Sequence, residues 1–300
     1  MKLEVRNLTK NFGEKEVLKG ISFTAEAGSA TGLLGRNGAG KTTAIRMIMG
    51  VFGGGGEILA DGAPIRRDKI NIGYLPEERG LYPKKPIAEQ MVYFACLRGM
   101  KPRDAKAAVK KWLARLEMEE YADKKLDTLS KGNQQKIQLA TALLSDPELI
   151  ILDEPFSGLD PVNAMLLKDV VTEQINIGKT VLFSSHQMNY VEEFCRTIAI
   201  LNQGKIVLNG NLSEIKRGYD RRKILLRTQN AEALAAALQN LPDGIAAHID
   251  TAPNLVTVQL QKAEDKKALA AFLGTCSADF DSMAVYEPSL NDIFVEYTED

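Results

Sequence analysis

The chain has 300 residues, of which 45% are hydrophobic and 26% are charged, and its formal net charge is −1. This composition supports a hydrophobic core without cross-links and excludes a collagen-like or disordered chain. The near-zero net charge argues against a protein whose whole surface binds nucleic acid, so no nucleic-acid partner is expected.

The cysteines and the apolar segments indicate the cellular compartment in which the chain functions. Cys96, Cys195 and Cys276 are odd in number and widely spaced, which fits neither a disulfide framework nor a CxxC metal site. We therefore expect a reducing, cytoplasmic setting. The N-terminal segment lacks the apolar region of a signal peptide, and no window approaches the roughly 18 to 20 apolar residues that cross a bilayer. Any work at a membrane is expected to need a separate partner chain.

Strand and helix patterns alternate along the first two thirds of the chain. The predicted elements, in chain order, are antiparallel strands within 1–30, an apolar strand at 30–34, a helix at 43–50, helices between about Tyr93 and Leu144, apolar strands at 149–152 and 180–185 with a helix between them, and a strand, turn and strand at 197–210. Continuous apolar runs such as LIIL are typical of parallel strands covered on both faces. The alternation of strands and helices predicts an α/β fold.

The pattern starts afresh after the charged stretch KRGYDRRK at 216–223, which is typical of a linker. Downstream, the predicted order is strand, helix, two strands, helix and strand, which is the split βαβ arrangement, followed by a short terminal helix. His248 lies in one of these apolar strands and is predicted to pack in the core. We therefore predict two domains, a larger one over 1–215 and a small α+β domain over 220–300.

A glycine-rich loop follows the apolar strand at 30–34 and precedes a helix. Its sequence GRNGAGKT, residues 35–42, matches the phosphate-binding pattern G-x-x-x-x-G-K-[ST] in the context that the motif requires. Glycines let successive backbone N–H groups point at phosphate oxygens, and the helix start adds its positive end. Lys41 is expected to reach the β- and γ-phosphates of ATP, and the Thr42 hydroxyl is expected to bind Mg²⁺. The alternative is a glycine turn followed by an accidental Lys-Thr pair.

Two acidic residues end the apolar run LIILDEP, residues 149–155. Burial of the four apolar residues brings Asp153 and Glu154 out together at the end of a strand. Asp153 is predicted to hold Mg²⁺ through its water shell, because this cation prefers hard oxygen ligands. Glu154 is predicted to polarise an attacking water. The alternative is a strand-terminal acidic turn without a catalytic role.

The octet LSKGNQQK, residues 129–136, lies shortly before that acidic strand. Taken alone, it predicts a helix start with Ser130 as the N-cap. Together with the phosphate loop and the acidic strand, however, it makes residues 1–215 resemble the nucleotide-binding subunit of ABC transporters. The octet is similar to that family's signature LSGGQ, with Lys in place of the first Gly and Asn in place of the Gln. The resemblance implies two subunits stacked head to tail, in which Ser130 and Gly132 of one bind the γ-phosphate of ATP held by the other.

Further residues acquire roles through the same resemblance. Asp160 lies in SGLD, which is similar to the D-loop that crosses between the subunits. His186 resembles the histidine that contacts the γ-phosphate and the catalytic water, and Phe12 resembles the aromatic that stacks on adenine, although strand packing is its alternative. Glu77 stands where the Q-loop of the family has glutamine. Its carboxylate is expected to be ionised and able to ligate Mg²⁺, unless Glu77 and Glu78 are solvated loop residues.

The resemblance also implies a fold and a full set of site residues. The fold is a P-loop NTPase of the ABC type, with a mixed sheet core, an antiparallel β subdomain and a helical subdomain, plus the small α+β domain. The predicted ligands are ATP and Mg²⁺. The predicted residues are Lys41, Glu154 and His186 for catalysis; Phe12, Gly35, Asn37, Gly38, Ala39, Gly40, Lys41, Thr42, Thr43, Ser130, Gly132 and Asp160 for nucleotide binding; and Thr42, Glu77 and Asp153 for the metal.

The implied function is that of an ATPase subunit that closes around ATP and drives a separate membrane permease. The subunit would pair with a second copy or with a sister subunit, and the permease would hold it on the cytoplasmic face of the membrane. The small domain is similar to one appended to ATPase subunits of some sodium and drug exporters, which implies export. The alternative function is a soluble ATP-driven clamp without a permease, for example in iron–sulfur assembly or DNA-related work.

Overall fold

The computed structural model describes residues 1–78, 80–242 and 244–299. The chain divides into two compact units, of which one comprises Met1–Leu212 together with the chain from Ile293 onward and the other comprises Ser213–Asp292. The last helix is therefore divided between the units, and the domain boundaries drawn from the sequence stay predictions. All of the predicted site residues belong to the first unit.

The first unit alternates strands and helices up to Asn211. Its elements are β1 (Leu3–Phe12), β2 (Lys15–Ala25), β3 (Ser29–Leu34), α1 (Lys41–Ile48), β4 (Gly55–Ala60), β5 (Ala63–Pro64), β6 (Ile72–Leu75), α2 (Ile87–Leu97), α3 (Pro102–Arg115), α4 (Lys131–Leu143), β7 (Leu149–Asp153), α5 (Pro161–Asn176), β8 (Thr180–Ser184), α6 (Met188–Phe194), β9 (Cys195–Asn202) and β10 (Lys205–Asn211). Short 3₁₀ turns at Glu119–Tyr121 and Leu126–Thr128 lie between α3 and α4.

A six-stranded sheet in the order β10-β9-β3-β8-β7-β6 forms the centre of this unit. Five of its strands run parallel, and β10 returns antiparallel along one edge. Every residue of β3, β7 and β8 is buried, as their continuous apolar sequences predict. Because parallel strands end at the same edge of a sheet, the segments that follow β3, β7 and β8 lie near one another there.

A second sheet, in the order β2-β1-β4-β5, is antiparallel throughout. The buried side chains of β1 and β2 share one hydrophobic core with α1 and the central sheet. This core includes Leu3, Val5, Leu8, Leu18, Ile21 and Phe23 from the strands, Ile45 and Ile48 from α1, and Leu33, Ile151 and Leu182 from the central sheet. The mixed sheet core and the antiparallel β subdomain of the predicted fold are therefore confirmed.

Helices α2, α3 and α4 form the helical insert that the sequence predicts. α3 buries three apolar residues spaced four apart and exposes its charged face, which is the pattern of an amphipathic helix. α2 begins at Ile87, earlier than the predicted start near Tyr93, because Pro86 precedes the helix and Ile87 and Met91 are buried one turn apart. Across the described residues, none of the helices combines the length and apolar character needed to cross a bilayer.

The second unit begins at Ser213, within α7 (Leu212–Arg217), so only the first residue of this helix belongs to the first unit. Its elements are β11 (Lys223–Arg227), α8 (Ala231–Leu238), β12 (Ala246–Ala252), β13 (Leu255–Leu260), α9 (Lys266–Leu273), β14 (Ser282–Val285) and the start of α10 (Leu290–Thr298). The strands form an antiparallel sheet in the order β12-β13-β11-β14, so the predicted order of strands and helices is confirmed.

His248 differs from its predicted place in the core. It lies on β12, an edge strand of this sheet, and 67% of its side chain is exposed. Its Nε2 lies 2.8 Å from Oδ1 of Asp250, two residues further along the strand. Side chains two residues apart in a strand share a face, and this face of β12 is open. The core of the unit is built instead from residues such as Ile224, Leu226 and Val258.

Candidate functional site

A cavity of about 600 Å³ opens at the edge of the central sheet where β3 and β7 end. The predicted site residues in its lining are Asn37, Gly38, Gly40, Lys41, Thr42, Thr43, Glu77, Asp153 and Glu154, and the other lining residues are Lys15, Glu16, Val17, Lys19, Gln203 and Gly204. The phosphate loop, the acidic strand end and the glutamate of the predicted Q-loop therefore share one space.

The glycine loop joins β3 to α1, and its glycines meet two different demands. Gly38 and Gly40 have φ angles of 82° and 115°, which side chains disfavour. Gly40 directly precedes α1, so this conformation turns the chain into the helix that begins at Lys41. Gly35 instead packs against β9, where an added Cβ would lie 2.5 Å from the carbonyl oxygen of Leu201. The loop can curl in this way because glycines occupy all three positions.

The Lys41 side chain folds back over the loop. Its Nζ donates a hydrogen bond of 2.6 Å to the carbonyl oxygen of Gly35, and the residue is 9% exposed. Burial lowers the pKa of Lys41, while the negative charges of Glu154, Asp153 and Glu77 act in the opposite direction. The ammonium group is thus held among loop carbonyls and carboxylates, where a phosphate can take over its contacts.

Asp153 ends β7 and is 2% exposed. Burial raises the pKa of Asp153 to about 6, and the carboxylates of Glu77 and Glu154 add to this rise, whereas the Ser184 hydroxyl and Lys41 oppose it. Burial and like charges both disfavour the ionised carboxylate here. Negative charge is therefore concentrated at a point where a bound cation stabilises it.

The cavity supplies the oxygen ligands that Mg²⁺ prefers. The Thr42 hydroxyl and the carboxylates of Asp153 and Glu77 all line it. Within the described ranges, no group of three or more His, Cys, Asp or Glu side chains is arranged to hold a metal. Mg²⁺ commonly binds through one or two carboxylates together with substrate phosphates. The donor set therefore fits Mg²⁺ that is shared with a nucleotide.

Glu154 and His186, which are 32 positions apart, are in direct contact. Glu154 follows β7 with a φ angle of 50° and is 6% exposed. Its Oε1 accepts a hydrogen bond of 2.8 Å from the His186 backbone N–H and lies 2.7 Å from His186 Nδ1. Its Oε2 accepts a hydrogen bond of 2.9 Å from the hydroxyl of Ser185. Sequence reasoning did not single out Ser185, although a hydroxyl residue beside the histidine is visible in the sequence.

Ser130, Gly132 and Asp160 form a second polar group, apart from the described lining of the cavity. Ser130 is the N-cap of α4, as predicted, and its hydroxyl accepts a hydrogen bond of 3.3 Å from the backbone N–H of Asn133. α4 begins at Lys131, directly after this cap. An added Cβ on Gly132 would lie 2.6 Å from the Asn163 amide nitrogen, and the Asn163 backbone N–H donates to Asp160 at 3.0 Å. The starts of α4 and α5 are thus packed together.

Phe12 and Ala39 lie beside the cavity and outside its described lining. Phe12 is 45% exposed, and its ring packs edge-to-face on Phe52 with 5.3 Å between the ring centroids. The Lys10 ammonium lies 4.9 Å from the centre of the Phe12 ring. Ala39 is buried within the loop and donates its backbone N–H to the carbonyl oxygen of Arg36. The adenine-stacking role of Phe12 stays a prediction.

Two turns contribute cavity residues that sequence reasoning missed. Lys15, Glu16 and Val17 follow the turn between β1 and β2, and Gln203 and Gly204 form the turn between β9 and β10. The Gln-Gly pair has φ angles of 46° and 82°, which is the geometry of the hairpin turn that the sequence predicts. The turn itself is readable from the sequence, but its place at the cavity depends on how the two sheets pack.

Comparison with known proteins identifies two matching family models and several relatives of this chain. Residues 18–157 match a family model described as "ABC transporter", and residues 210–298 match one described as "ATP-binding protein DrrA1-3-like, C-terminal domain". The chain is 43% identical over 297 residues to "Uncharacterized ABC transporter ATP-binding protein YhaQ" of Bacillus subtilis (strain 168), which covers 98% of this chain and 97% of that protein. The similarity therefore extends over both units.

Two further comparisons cover mainly the first unit. The chain is 36% identical over 213 residues to "Nod factor export ATP-binding protein I" of Burkholderia lata, which covers 69% of this chain and 70% of that protein. A solved structure described as "Structure of ATP binding subunit of ABC transporter" has a TM-score of 0.66 and 30% sequence identity, and it covers 72% of this chain and 92% of that one.

Proposed function

Because the chain belongs to the family of ABC transporter ATP-binding subunits, we propose that it hydrolyses ATP within a dimer and thereby drives a separate membrane permease. One observation carries this proposal. The phosphate-loop amine of Lys41 and the buried carboxylates of Asp153 and Glu154 share a single cavity, and His186 contacts Glu154. A phosphate-binding loop, an acidic metal ligand and a general base are the parts that nucleotide hydrolysis needs.

The residues at the cavity have different roles in the proposed hydrolysis of ATP. Backbone N–H groups of the glycine loop and the start of α1 bind the phosphates, and Lys41 adds a positive charge. Glu154 accepts a proton from the attacking water, and His186, held on the same carboxylate, orients the γ-phosphate end. Thr42, Asp153 and Glu77 would hold Mg²⁺, which would supply positive charge to the phosphates.

The second polar group serves the nucleotide of another subunit in this proposal. Ser130 and Gly132 stand at the start of α4, where unpaired backbone N–H groups favour an anion. Asp160 caps α5 beside them. Since this group lies apart from the described lining of the cavity in its own chain, a head-to-tail partner is what brings it to a triphosphate. The partner is a second copy of this chain or a sister subunit.

The permease is proposed to contact the segment 77–100, which follows the cavity in sequence. Tyr82, Tyr93 and Leu97 are large apolar side chains that remain 53%, 51% and 64% exposed. The Tyr82 ring stacks on Phe94 with 5.8 Å between centroids, so the aromatic surface is ordered by internal contacts. Exposed aromatic groups with a fixed orientation are typical of protein interfaces. Glu77 at the start of this segment links the surface to the cavity.

The relatives support a proposal for the direction of transport and for the location of the subunit. One relative carries "export" in its name, and the second unit matches a domain described from DrrA-like ATP-binding proteins. On this basis we propose an exporter, in which the permease holds the subunit on the cytoplasmic face of the membrane. The transported compound contacts the permease, so no residue of this chain has to recognise it.

Glu154→Gln tests the hydrolytic role directly. The amide keeps the size of the side chain but puts a donor NH₂ in place of one accepting oxygen and accepts no proton, so turnover is expected to fall by about 10²- to 10⁴-fold while ATP binding persists. Phosphate release and equilibrium binding of ATP are the two measurements. Glu148→Gln is the matched control, since Glu148 is exposed and precedes β7 at its opposite end. A Glu154→Gln turnover close to that of the control would exclude the role.

A further inference from the structure

Ser185 is a buried serine whose hydroxyl is engaged on two sides. It follows the last residue of β8 and is 1% exposed. Its Oγ donates to Oε2 of Glu154 at 2.9 Å and accepts from the backbone N–H of Gln187 at 3.0 Å. Gln187 is the N-cap residue of α6. The hydroxyl therefore connects the start of a helix to the proposed general base.

The second contact fixes the direction of the first. A serine hydroxyl has one proton to donate and rotates freely unless its neighbours orient it. Because Gln187 N–H points at Oγ, the hydroxyl proton is directed away from it and towards Glu154. A hydrogen bond to an ionised carboxylate is also stronger than one between neutral groups.

The Glu154 carboxylate is held through both of its oxygens. His186 contacts Oε1 with its backbone N–H and its ring, and in the described part of the chain Ser185 supplies the hydrogen bond to Oε2. Without Ser185, the carboxylate would be held at one oxygen and could swing about that contact. A shift of about 1 Å in a reacting group costs roughly 10²-fold in rate.

Aromatic packing also holds the segment that carries Glu154 against α6. Phe156, two residues after Glu154, is 3% exposed and stacks on Tyr190 of α6 with 4.3 Å between ring centroids. It also stacks on Phe194 at 5.5 Å. The segment that carries Glu154 and the helix that follows Ser185 are thus packed together, which holds Ser185 Oγ and Glu154 Oε2 at their 2.9 Å distance.

We propose that Ser185 is a positioning residue for Glu154, which sets the orientation of the carboxylate towards the attacking water. The inference rests on the proposed ATPase function but assigns a part to a residue outside the described lining of the cavity. Ser185 acts through the base, so its loss should slow the chemical step and leave nucleotide binding in place.

The test compares Ser185→Ala with Ser185→Thr in steady-state hydrolysis by the full chain. Loss of a hydrogen bond to a charged group is expected to lower kcat by about 10- to 100-fold, with the KM for ATP changed less than about twofold. Ser185→Thr keeps the hydroxyl and is expected to restore kcat to within about threefold of the unmodified chain. Ser29→Ala is the matched control, because Ser29 is also a buried serine but begins β3 at the opposite end of the sheet.

A second background separates positioning from general damage. In a Glu154→Gln chain, Ser185→Ala is expected to change the single-turnover rate by less than about twofold, because the base through which it acts is already absent. If thermal denaturation shows that the Ser185→Ala chain does not fold, Ser185→Cys replaces it. Its thiol is similar in size to the hydroxyl but is a weaker donor, so kcat is expected to fall by at least about fivefold.

Several results overturn the inference. These are a kcat within about fivefold of the unmodified chain, a parallel loss of ATP binding, a Ser185→Thr chain as slow as Ser185→Ala, or an undiminished effect in the Glu154→Gln background. If the unmodified chain itself hydrolyses no ATP, the proposed function fails and this inference fails with it. If hydrolysis is normal and Ser185→Ala is indistinguishable from Ser29→Ala, the inference alone fails.

Discussion

Asp153 carries a charge that the folded chain disfavours until a cation is bound. Burial raises its pKa to about 6 from an ordinary value of 3.8. The folded state therefore binds this proton more tightly than the unfolded state does, and the contribution of Asp153 to stability falls as the pH rises from about 4 to 6. Above pH 6 the ionised group destabilises the metal-free protein, by an amount on the order of 3 kcal/mol for a shift of this size.

Asp153→Asn is expected to stabilise the metal-free protein at pH 8 more than at pH 4. The amide has no charge to bury, so the variant should gain up to about 3 kcal/mol relative to the unmodified chain at pH 8 and little at pH 4. Urea unfolding with EDTA, followed by the fluorescence of Trp112, measures this difference, because the single tryptophan lies in α3 of the first unit. A stability difference that is the same at both pH values would contradict the prediction.

The sequence identifies residues of this site where a local pattern demands them. The glycines before Lys41 and the carboxylates after β7 are visible because loop geometry and burial leave few other residue types acceptable there. Ser185 and Lys15 carry no such local signal. Their place at the site depends on which strands become neighbours, and a single sequence does not encode that order in any local pattern.

At the scale of elements, α4 is the most deeply buried helix of the insert. Ten of its thirteen residues are buried, including the polar Gln134, Lys136 and Gln138. Gln134 donates to the carbonyl oxygen of Leu129, and Gln135 donates to that of Pro155 at 3.0 Å. The helix that begins at the signature octet is thus tied directly to the segment after Glu154. Polar side chains in a helix this buried explain why its amphipathic pattern is weak in the sequence.

Gly73 of β6 lets the sheet approach α4 closely. An added Cβ would lie 2.6 Å from the carbonyl oxygen of Ala142 and 2.8 Å from a ring carbon of Pro147. Gly73→Ala is therefore expected to destabilise the protein by about 1–3 kcal/mol through overpacking. Gly53→Ala is the control, since its Cβ meets nothing within 4 Å. Urea unfolding of both variants decides the point, and equal midpoints would show that β6 and α4 separate without cost.

Elements with a strong apolar pattern are predicted from sequence better than elements without one. β7, β8 and α5 have lengths and apolar patterns that leave one interpretation. β4, β5 and β6 do not, because β4 begins in a run of glycines and β5 has two residues. Such strands are specified by the neighbours that they pair with, as β4 is by β1. Their existence follows from tertiary packing and not from local periodicity.

At the scale of the whole molecule, the proposed dimer divides each nucleotide site between two chains. The described lining of the cavity around Lys41 includes none of Ser130, Gly132 and Asp160. In the proposed head-to-tail pair, the cavity of one chain faces Ser130 and Gly132 of the other chain. Each composite site then needs one intact Lys41 and one intact Ser130, contributed by different copies.

This division predicts that two inactive variants restore activity when mixed. Ser130→Asp keeps an N-cap for α4 but places a carboxylate against the incoming triphosphate, and Lys41→Ala removes the phosphate-binding amine. Each variant alone is expected to hydrolyse ATP at least about 10-fold more slowly than the unmodified chain. In an equal mixture, about half of the pairs contain one of each, and each of these pairs has one fully intact site, so roughly a quarter of the original rate is expected if the sites act independently.

Phosphate release from the separate and mixed variants measures this recovery. Thermal unfolding serves as the control, because Asp caps a helix as well as Ser does and the Ser130→Asp chain should stay folded. A double variant that carries both changes on one chain, mixed with a chain that carries Lys41→Ala, leaves no composite site with an intact Lys41 and should stay inactive. If each site were complete within one chain, neither mixture could exceed the sum of its parts, so any recovery in the first mixture alone requires a site shared between two copies.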